Sequence, residues 1–174
     1  MTAAWLEMGV TIEPYDSNWV AEFEAERDRI AAALGDAALL IAHTGSTAIP
    51  GLAAKPIVDI QLSVERLHPI ETFVRPLEGL GYTHLPHADD AFCPFLYRPA
   101  REPHTHHVHV VQAGGSEERR TLAFRDYLRD HPADAREYES LKRGLAMRYG
   151  GPPSGGGTYT DGKTAFVERV VCAA

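Results

Sequence analysis

The chain has 174 residues, 44% of them hydrophobic and 24% charged, so it is neither a disordered polymer nor too short for a core of its own. Its formal net charge of -7, from 24 acidic against 17 scattered basic side chains, argues against bulk nucleic-acid binding. No run approaches the roughly 18 apolar residues of a membrane helix, and Cys93 and Cys172, in no CxxC spacing behind an N-terminus without leader features, are expected free in a reduced, cytoplasmic setting.

Met1–Gly9 has no period and is expected to be a loose lead-in, followed by a short extended segment at Val10–Pro14. Asp16-Ser17-Asn18 offers N-cap side chains to a helix over Trp19–Leu34, where Trp19, Phe23, Ile30, Ala33 and Leu34 recur at helical spacing and Gly35 supplies a stop. Leu39–His43 is apolar and is expected to be a strand buried on both faces. Gly45–Lys55 is rich in small residues and predicts a tight turn with at most one helical turn. In the next strand, Pro56–Val64, Asp59, Gln61 and Ser63 share one face, and Val58, Ile60 and Leu62 the other.

A helix over His68–Leu80 and strands at Tyr82–Pro86, Ala91–Arg98 and Thr105–Gln112 follow. The pattern then turns helical, at Ser116–Asp130, Pro132–Tyr149 and Thr158–Cys172, with Gly150–Gly157 as a glycine-rich connector. Strands first and helices after predict an α+β fold: a mixed β-sheet flanked by helices (about 10–113) with a helical C-terminal section (about 116–174), in one domain over 1–174.

The chemistry concentrates in two places. Gly45 lets the main chain approach a ligand closely, and the amides around Ser46 can cradle a phosphate while Asp59, on the next strand, holds a bridging divalent metal. Four of the nine histidines lie in His104-Thr105-His106-His107-Val108-His109. On a strand, His107 and His109 share one face. Lys55 is a candidate phosphate contact, with a surface lysine as the alternative.

Four motifs in order, His43-Thr44-Gly45-Ser46-Thr47-Ala48-Ile49-Pro50-Gly51-Leu52-Ala53-Ala54-Lys55-Pro56-Ile57-Val58-Asp59-Ile60, His106-His107-Val108-His109-Val110, Phe124-Arg125-Asp126-Tyr127-Leu128-Arg129 and Lys163-Thr164-Ala165-Phe166, resemble the GrpB family. The resemblance covers about Ile12–Val171 and implies the nucleotidyltransferase fold shared with polymerase beta. In that superfamily a Gly-Ser turn precedes a strand with acids at i and i+2. Here those positions hold Asp59 and the neutral Gln61. A third acid in the superfamily commonly comes from a later strand, and the resemblance implies that His107 and His109 take that place, facing Asp59 with His43 as a neighbour. GrpB-like domains also resemble an appendage of some bacterial dephospho-CoA kinases, which hints at nucleotide or coenzyme chemistry.

The expected activity is metal-dependent binding of a nucleotide or another phosphorylated small molecule, such as a nucleoside triphosphate or a coenzyme relative, with nucleotidyl transfer to a small acceptor. Asp59, His107 and His109 are the candidate catalytic and metal residues, and Gly45, Ser46, Lys55, Arg125, Tyr159 and Lys163 the substrate-binding candidates. The metal is Mg or Mn for a nucleotidyltransferase, and Zn, Fe or Ni for histidine ligation. Two other readings stay open: a non-catalytic nucleotide or coenzyme module, and a His/Asp metalloenzyme acting on a small molecule.

Overall fold

The computed structural model describes residues 10–149 and 159–174, so the expected lead-in at Met1–Gly9 and the connector at Gly150–Gly157 lie outside the described residues. The elements in order are α1 (Asn18–Leu34), β1 (Leu40–Thr44), β2 (Val58–Val64), α2 (Glu71–Gly79), β3 (Thr83–Leu85), β4 (Phe95–Arg98), β5 (His106–Gln112), α3 (Ser116–Asp130), α4 (Pro132–Tyr149) and α5 (Thr164–Ala173). The strands form one sheet in the order β1-β2-β5-β4-β3. β2 and β5 run parallel, whereas the other neighbours are antiparallel. The parallel pair needs a long crossover, which α2, β3 and β4 supply. This is a mixed α+β fold with a helical C-terminal region.

Alternation along the strands divides the sheet into two faces. Val58, Ile60 and Leu62 of β2, Val108 and Val110 of β5 and Leu96 of β4 pack with Ile30 of α1 and with Phe73 and Leu77 of α2. All of these are essentially inaccessible to solvent, and each contributes about 1.5–3 kcal/mol by burial. A second apolar cluster joins Ile49 and Leu52 of the turn after β1 to Leu128, Tyr138, Phe166 and Val170 from α3, α4 and α5. The turn therefore belongs to the helical section as much as to the sheet.

Local outcomes differ from expectation at several points. β1 pairs only with β2 and is an edge strand, so its first residue, Leu40, is exposed rather than buried on both faces. The fourth strand starts at Phe95 because Ala88–Ala91 forms a 3-10 turn capped by the His87 side chain. The start of α1 is capped by Asp16, whose carboxylate accepts the Asn18 N–H at 2.9 Å, while Ser17 makes no capping bond.

Glu26, in the polar half of the α1 pattern, is buried. It accepts hydrogen bonds from Tyr82 Oη at 3.0 Å, Arg98 Nη2 at 3.1 Å and Arg29 Nη1 at 2.6 Å. Those partners offset the desolvation of a carboxylate and tie α1 to β4.

Candidate functional site

Strand register assembles the site. Asp59 stands opposite Thr44 on one side and His107 on the other, and His107 in turn stands opposite Tyr97. The adjoining row carries Gln61, His109 and Phe95. Residues paired across strands share a face, so Asp59, His107 and His109 project to the side away from α1 and α2.

Asp59 Oδ1 lies 3.3 Å from His107 Nδ1 and 3.7 Å from His109 Nε2. One ligand atom from each of the three falls within 4.8 Å of the others. Burial alone would raise the Asp59 pKa. Hydrogen bonds and charge from His107 and His109 outweigh it and hold the carboxyl far below the usual carboxylate range. Burial opposes charge on His109, but Asp59 and Cys93 raise its pKa to about 9. Two imidazoles and one carboxylate are a donor set that fits a divalent transition metal better than Mg²⁺.

The loop beside the carboxylate has no room for a side chain. Gly45 adopts φ 66° and ψ -170°, and a Cβ there would collide with the Asp59 side chain. Thr44 Oγ1 donates to the Asp59 main-chain oxygen at 3.3 Å.

A cavity of about 540 Å³ opens over this cluster, walled by Gly45 and Ser46, by Lys55, Tyr159 and Lys163, and by the α3 residues Glu117, Arg120 and Thr121. Lys55 Nζ and Lys163 Nζ lie 5.1 and 4.6 Å from the Tyr159 ring centroid. Burial lowers the pKa of both lysines, and it raises that of Tyr159 to about 12 with help from the Asp59 charge.

Of the residues singled out from sequence, Gly45, Ser46, Lys55, Asp59, His107, His109, Tyr159 and Lys163 all line this one cavity. Arg125 is the correction. It is not part of the lining: its Nη1 donates to the His43 carbonyl oxygen at 3.1 Å and its Nε to Asp126 at 2.7 Å. A guanidinium docked on main chain and a neighbouring acid fastens α3 to the end of β1. His43 likewise faces the other side of the sheet, stacked on Phe23 at 4.8 Å with Nε2 3.0 Å from Thr47 Oγ1. Gln61, two residues after Asp59 on β2, is fully buried and outside the lining.

Three contributors escaped sequence reasoning. Cys93 lines the cavity beside His109 and helps raise its pKa. Tyr138 of α4 hydrogen-bonds Ser46. Arg129, one helical turn from Arg125, donates through Nε and Nη2 to the Ala48 carbonyl oxygen at 3.0 and 2.8 Å. Arg129→Ala is expected to lower stability by about 2 kcal/mol, the usual worth of charge-assisted hydrogen bonds to a part-buried acceptor. Urea unfolding checks this; an unchanged midpoint would show that water replaces the guanidinium.

Comparison with known proteins bears on the fold and the family. The pattern of the GrpB protein family matches residues 9–172. UPF0157 protein PA4798 of Pseudomonas aeruginosa is 42% identical over 93% of this chain and 66% of its own length. YqkA of Bacillus subtilis is 34% identical over 91% and 45%. The chain thus spans less than two thirds of these two relatives.

Glutamate-rich protein GrpB of Alkalihalophilus pseudofirmus is 35% identical over 93% of this chain and 94% of its own. A dephospho-CoA kinase of Mycolicibacterium paratuberculosis matches over 82% of this chain and 41% of the kinase, at 31% identity. Among solved structures, conserved protein GrpB from Enterococcus faecalis superposes with a TM-score of 0.80 at 33% identity, covering 94% of this chain and 96% of that one. Cid1 poly(U) polymerase with MgGTP gives 0.51 at 16% identity, over 79% and 45% of the two chains, a likeness of fold. With a family pattern running through nearly every residue and a family member superposing on both the sheet and the helices, the chain belongs to the GrpB family.

Proposed function

We propose that this protein binds a nucleotide or a related phosphorylated small molecule together with a divalent metal and transfers a nucleotidyl group to a small acceptor. The observation that carries the reading is one cavity with the Asp59–His107–His109 cluster on its floor and Lys55 and Lys163 about Tyr159 on its wall. The fold shared with a polymerase solved with MgGTP and the match to part of a dephospho-CoA kinase support a nucleotide as the phosphorylated partner.

When bound, the metal supplies positive charge to phosphoryl oxygens. Lys55 and Lys163 neutralise the rest of the phosphate chain, Tyr159 offers a ring face between them, and Gly45 keeps the turn open to a close-approaching phosphate. In the transfer, an acceptor oxygen bonds to the α-phosphorus as the bond to the β-phosphate oxygen breaks. Pyrophosphate leaves and the acceptor's proton passes to solvent.

Thermal stability measured with nucleoside triphosphates and Mg²⁺, Mn²⁺ or Zn²⁺ tests the reading. A nucleotide at 100 times its dissociation constant stabilises the fold by about 2.7 kcal/mol. Asp59→Asn is expected to weaken the metal-dependent binding at least tenfold, because an amide oxygen carries no formal charge for the cation. Equal affinity in the variant removes Asp59 from the site. The two imidazoles favour one second reading, a His/Asp metalloenzyme acting on a small molecule; stabilisation by Zn²⁺ or Mn²⁺ alone, with no nucleotide effect, would select it.

A further inference from the structure

His107 stands between two chambers. Its Nδ1 faces Asp59, and its Nε2 lies 3.4 Å from His104 Nδ1 on the opposite side. Beyond it is a second cavity, of about 580 Å³, which shares Lys55, Ile57, Phe95, His107 and Thr160 with the first. The two are contiguous along the same face of the sheet, since Leu85, Phe95 and His109 occupy one cross-strand row and Tyr97 and His107 the next.

The linings differ in chemistry. Besides its histidines, the first chamber has the cationic side chains Lys55, Lys163 and Arg120 beside Asp59 and Glu117. The second replaces Lys163 and Arg120 with apolar and aromatic groups, among them Leu85, Tyr97 and Pro56, and sets two carboxylates, Glu13 and Glu102, against the single ammonium of Lys55. Its aromatic wall is ordered: Tyr97 stacks on His104 with ring centroids 4.3 Å apart, and Phe95 meets His107 edge-on at 4.9 Å. Glu102 is fixed by accepting the His104 N–H at 2.8 Å. Glu13 is fixed through its main chain, which pairs with Ala54 at 2.8 and 2.9 Å.

We propose that the second chamber is the site of a second small molecule, one with a flat or aliphatic apolar body and a protonated amine, and that it excludes phosphorylated and carboxylate compounds. An apolar body gains by leaving water against Leu85, Phe95 and Tyr97. An ammonium is favoured by Glu13 and Glu102, whereas an anion meets two like charges. The shared wall at His107 brings this molecule beside the phosphate chamber, so that a member of the class which also carries a hydroxyl stands in the place of the acceptor; that last assignment rests on the transfer reading above, and the binding itself does not.

The test uses two probes with the same ring and opposite charge, tyramine and 3-(4-hydroxyphenyl)propionate, titrated into the ¹⁵N-labelled protein. Tyramine is expected to shift the amide resonances of Leu85, Tyr97 and Thr160 and to bind at least tenfold more tightly than the propionate. Leu85→Trp, which fills the chamber, is expected to weaken tyramine at least tenfold while metal-dependent stabilisation by ATP persists. Glu102→Gln, which leaves the volume unchanged, narrows the preference between the probes at least threefold. Equal binding of the two probes, no binding of either, or tyramine affinity untouched by both substitutions overturns the proposal. Tyramine binding in a protein that ATP and metal fail to stabilise would refute the nucleotide reading and leave the chamber standing; the reverse outcome refutes the chamber alone.

Discussion

Gly45→Ala is expected to destabilise the protein by about 3 kcal/mol or more and to abolish metal binding at the Asp59 cluster. Two costs combine. The main chain at Gly45 sits at φ 66° and ψ -170°, a region entered almost solely by glycine, and holding another residue there costs about 1–3 kcal/mol. The added methyl also meets the Asp59 carboxylate, and overpacking of this kind costs a further 1–3 kcal/mol or so. Because the Asp59 Cβ is itself 2.9 Å from the added methyl, relief requires the turn and β2 to move apart as well as the carboxylate to rotate, and both displace Asp59 from His107 and His109. Gly45→Ala should therefore lose Mn²⁺ or Zn²⁺ binding even at temperatures where it is fully folded. A double-mutant cycle separates the two costs: Gly45→Ala in an Asp59→Gly background, which removes the Asp59 Cβ as well as the carboxylate, should retain the backbone penalty and shed the collision. If the glycine substitution costs as much with Asp59 absent as present, close packing against the carboxylate is not what the glycine provides.

The second large effect is acid sensitivity, and it comes from histidines outside the cavity. His43 and His106 are both buried on the helix-packed face of the sheet, and both are held to a pKa of about 4. Burial is the main cause for each. Arg129 and Arg125 add to it at His43 and Arg98 and Arg29 at His106, while Asp59 and Glu26 respectively work against it.

The unfolded chain takes up these protons near the ordinary pKa of about 6.5. Where the folded pKa lies below the unfolded one, stability is complete above the unfolded value and is lost as pH falls from there through the folded value. Between pH 7 and 4.5 each imidazole removes about 2 kcal/mol, so the pair takes a substantial part of the stability of an ordinary domain. Denaturant unfolding at several pH values should show the loss concentrated between about pH 6.5 and 4. His106→Asn should flatten the slope in that window by roughly half. An unchanged slope would mean that His106 already carries its proton in the fold.

Residue patterns made most of this architecture legible. Alternation in Pro56–Val64 and Thr105–Gln112 separates apolar from polar positions, and the parallel register of β2 with β5 then brings Asp59 level with His107. Cys93 was accessible to the same reasoning, for alternation across Ala91–Arg98 sets it on the face of Phe95 and Tyr97, although the regular strand begins only at Phe95.

Arg125 shows where pattern stops. Its i, i+4 spacing from Arg129 puts the two on one helical face, but what a helix face meets is decided by packing, and here it meets the carbonyl oxygens of His43 and Ala48. Glu26 and Lys142 were illegible for a related reason. Both are charged residues in ordinary helical patterns, and only the tertiary partners, Arg98 and Tyr82 for one and the Ala53 carbonyl oxygen for the other, make their burial tolerable.

The turn between β1 and β2 carries a consequence for how the protein is made. Its main chain is fastened from later in the sequence: the His43 and Ala48 carbonyls by Arg125 and Arg129, the Ala53 N–H by Glu139 at 3.2 Å, and the Ala53 carbonyl by Lys142. A ribosome releases every strand of the sheet before it releases any of these side chains. The sheet can pair on α1 and α2 while synthesis continues, and the loop beside Asp59 can form its own local turns, yet it gains these fastenings only after α3 and α4 have emerged and docked. A nascent or truncated chain ending before Lys142 thus carries Asp59, His107 and His109 without the contacts that complete the loop beside them.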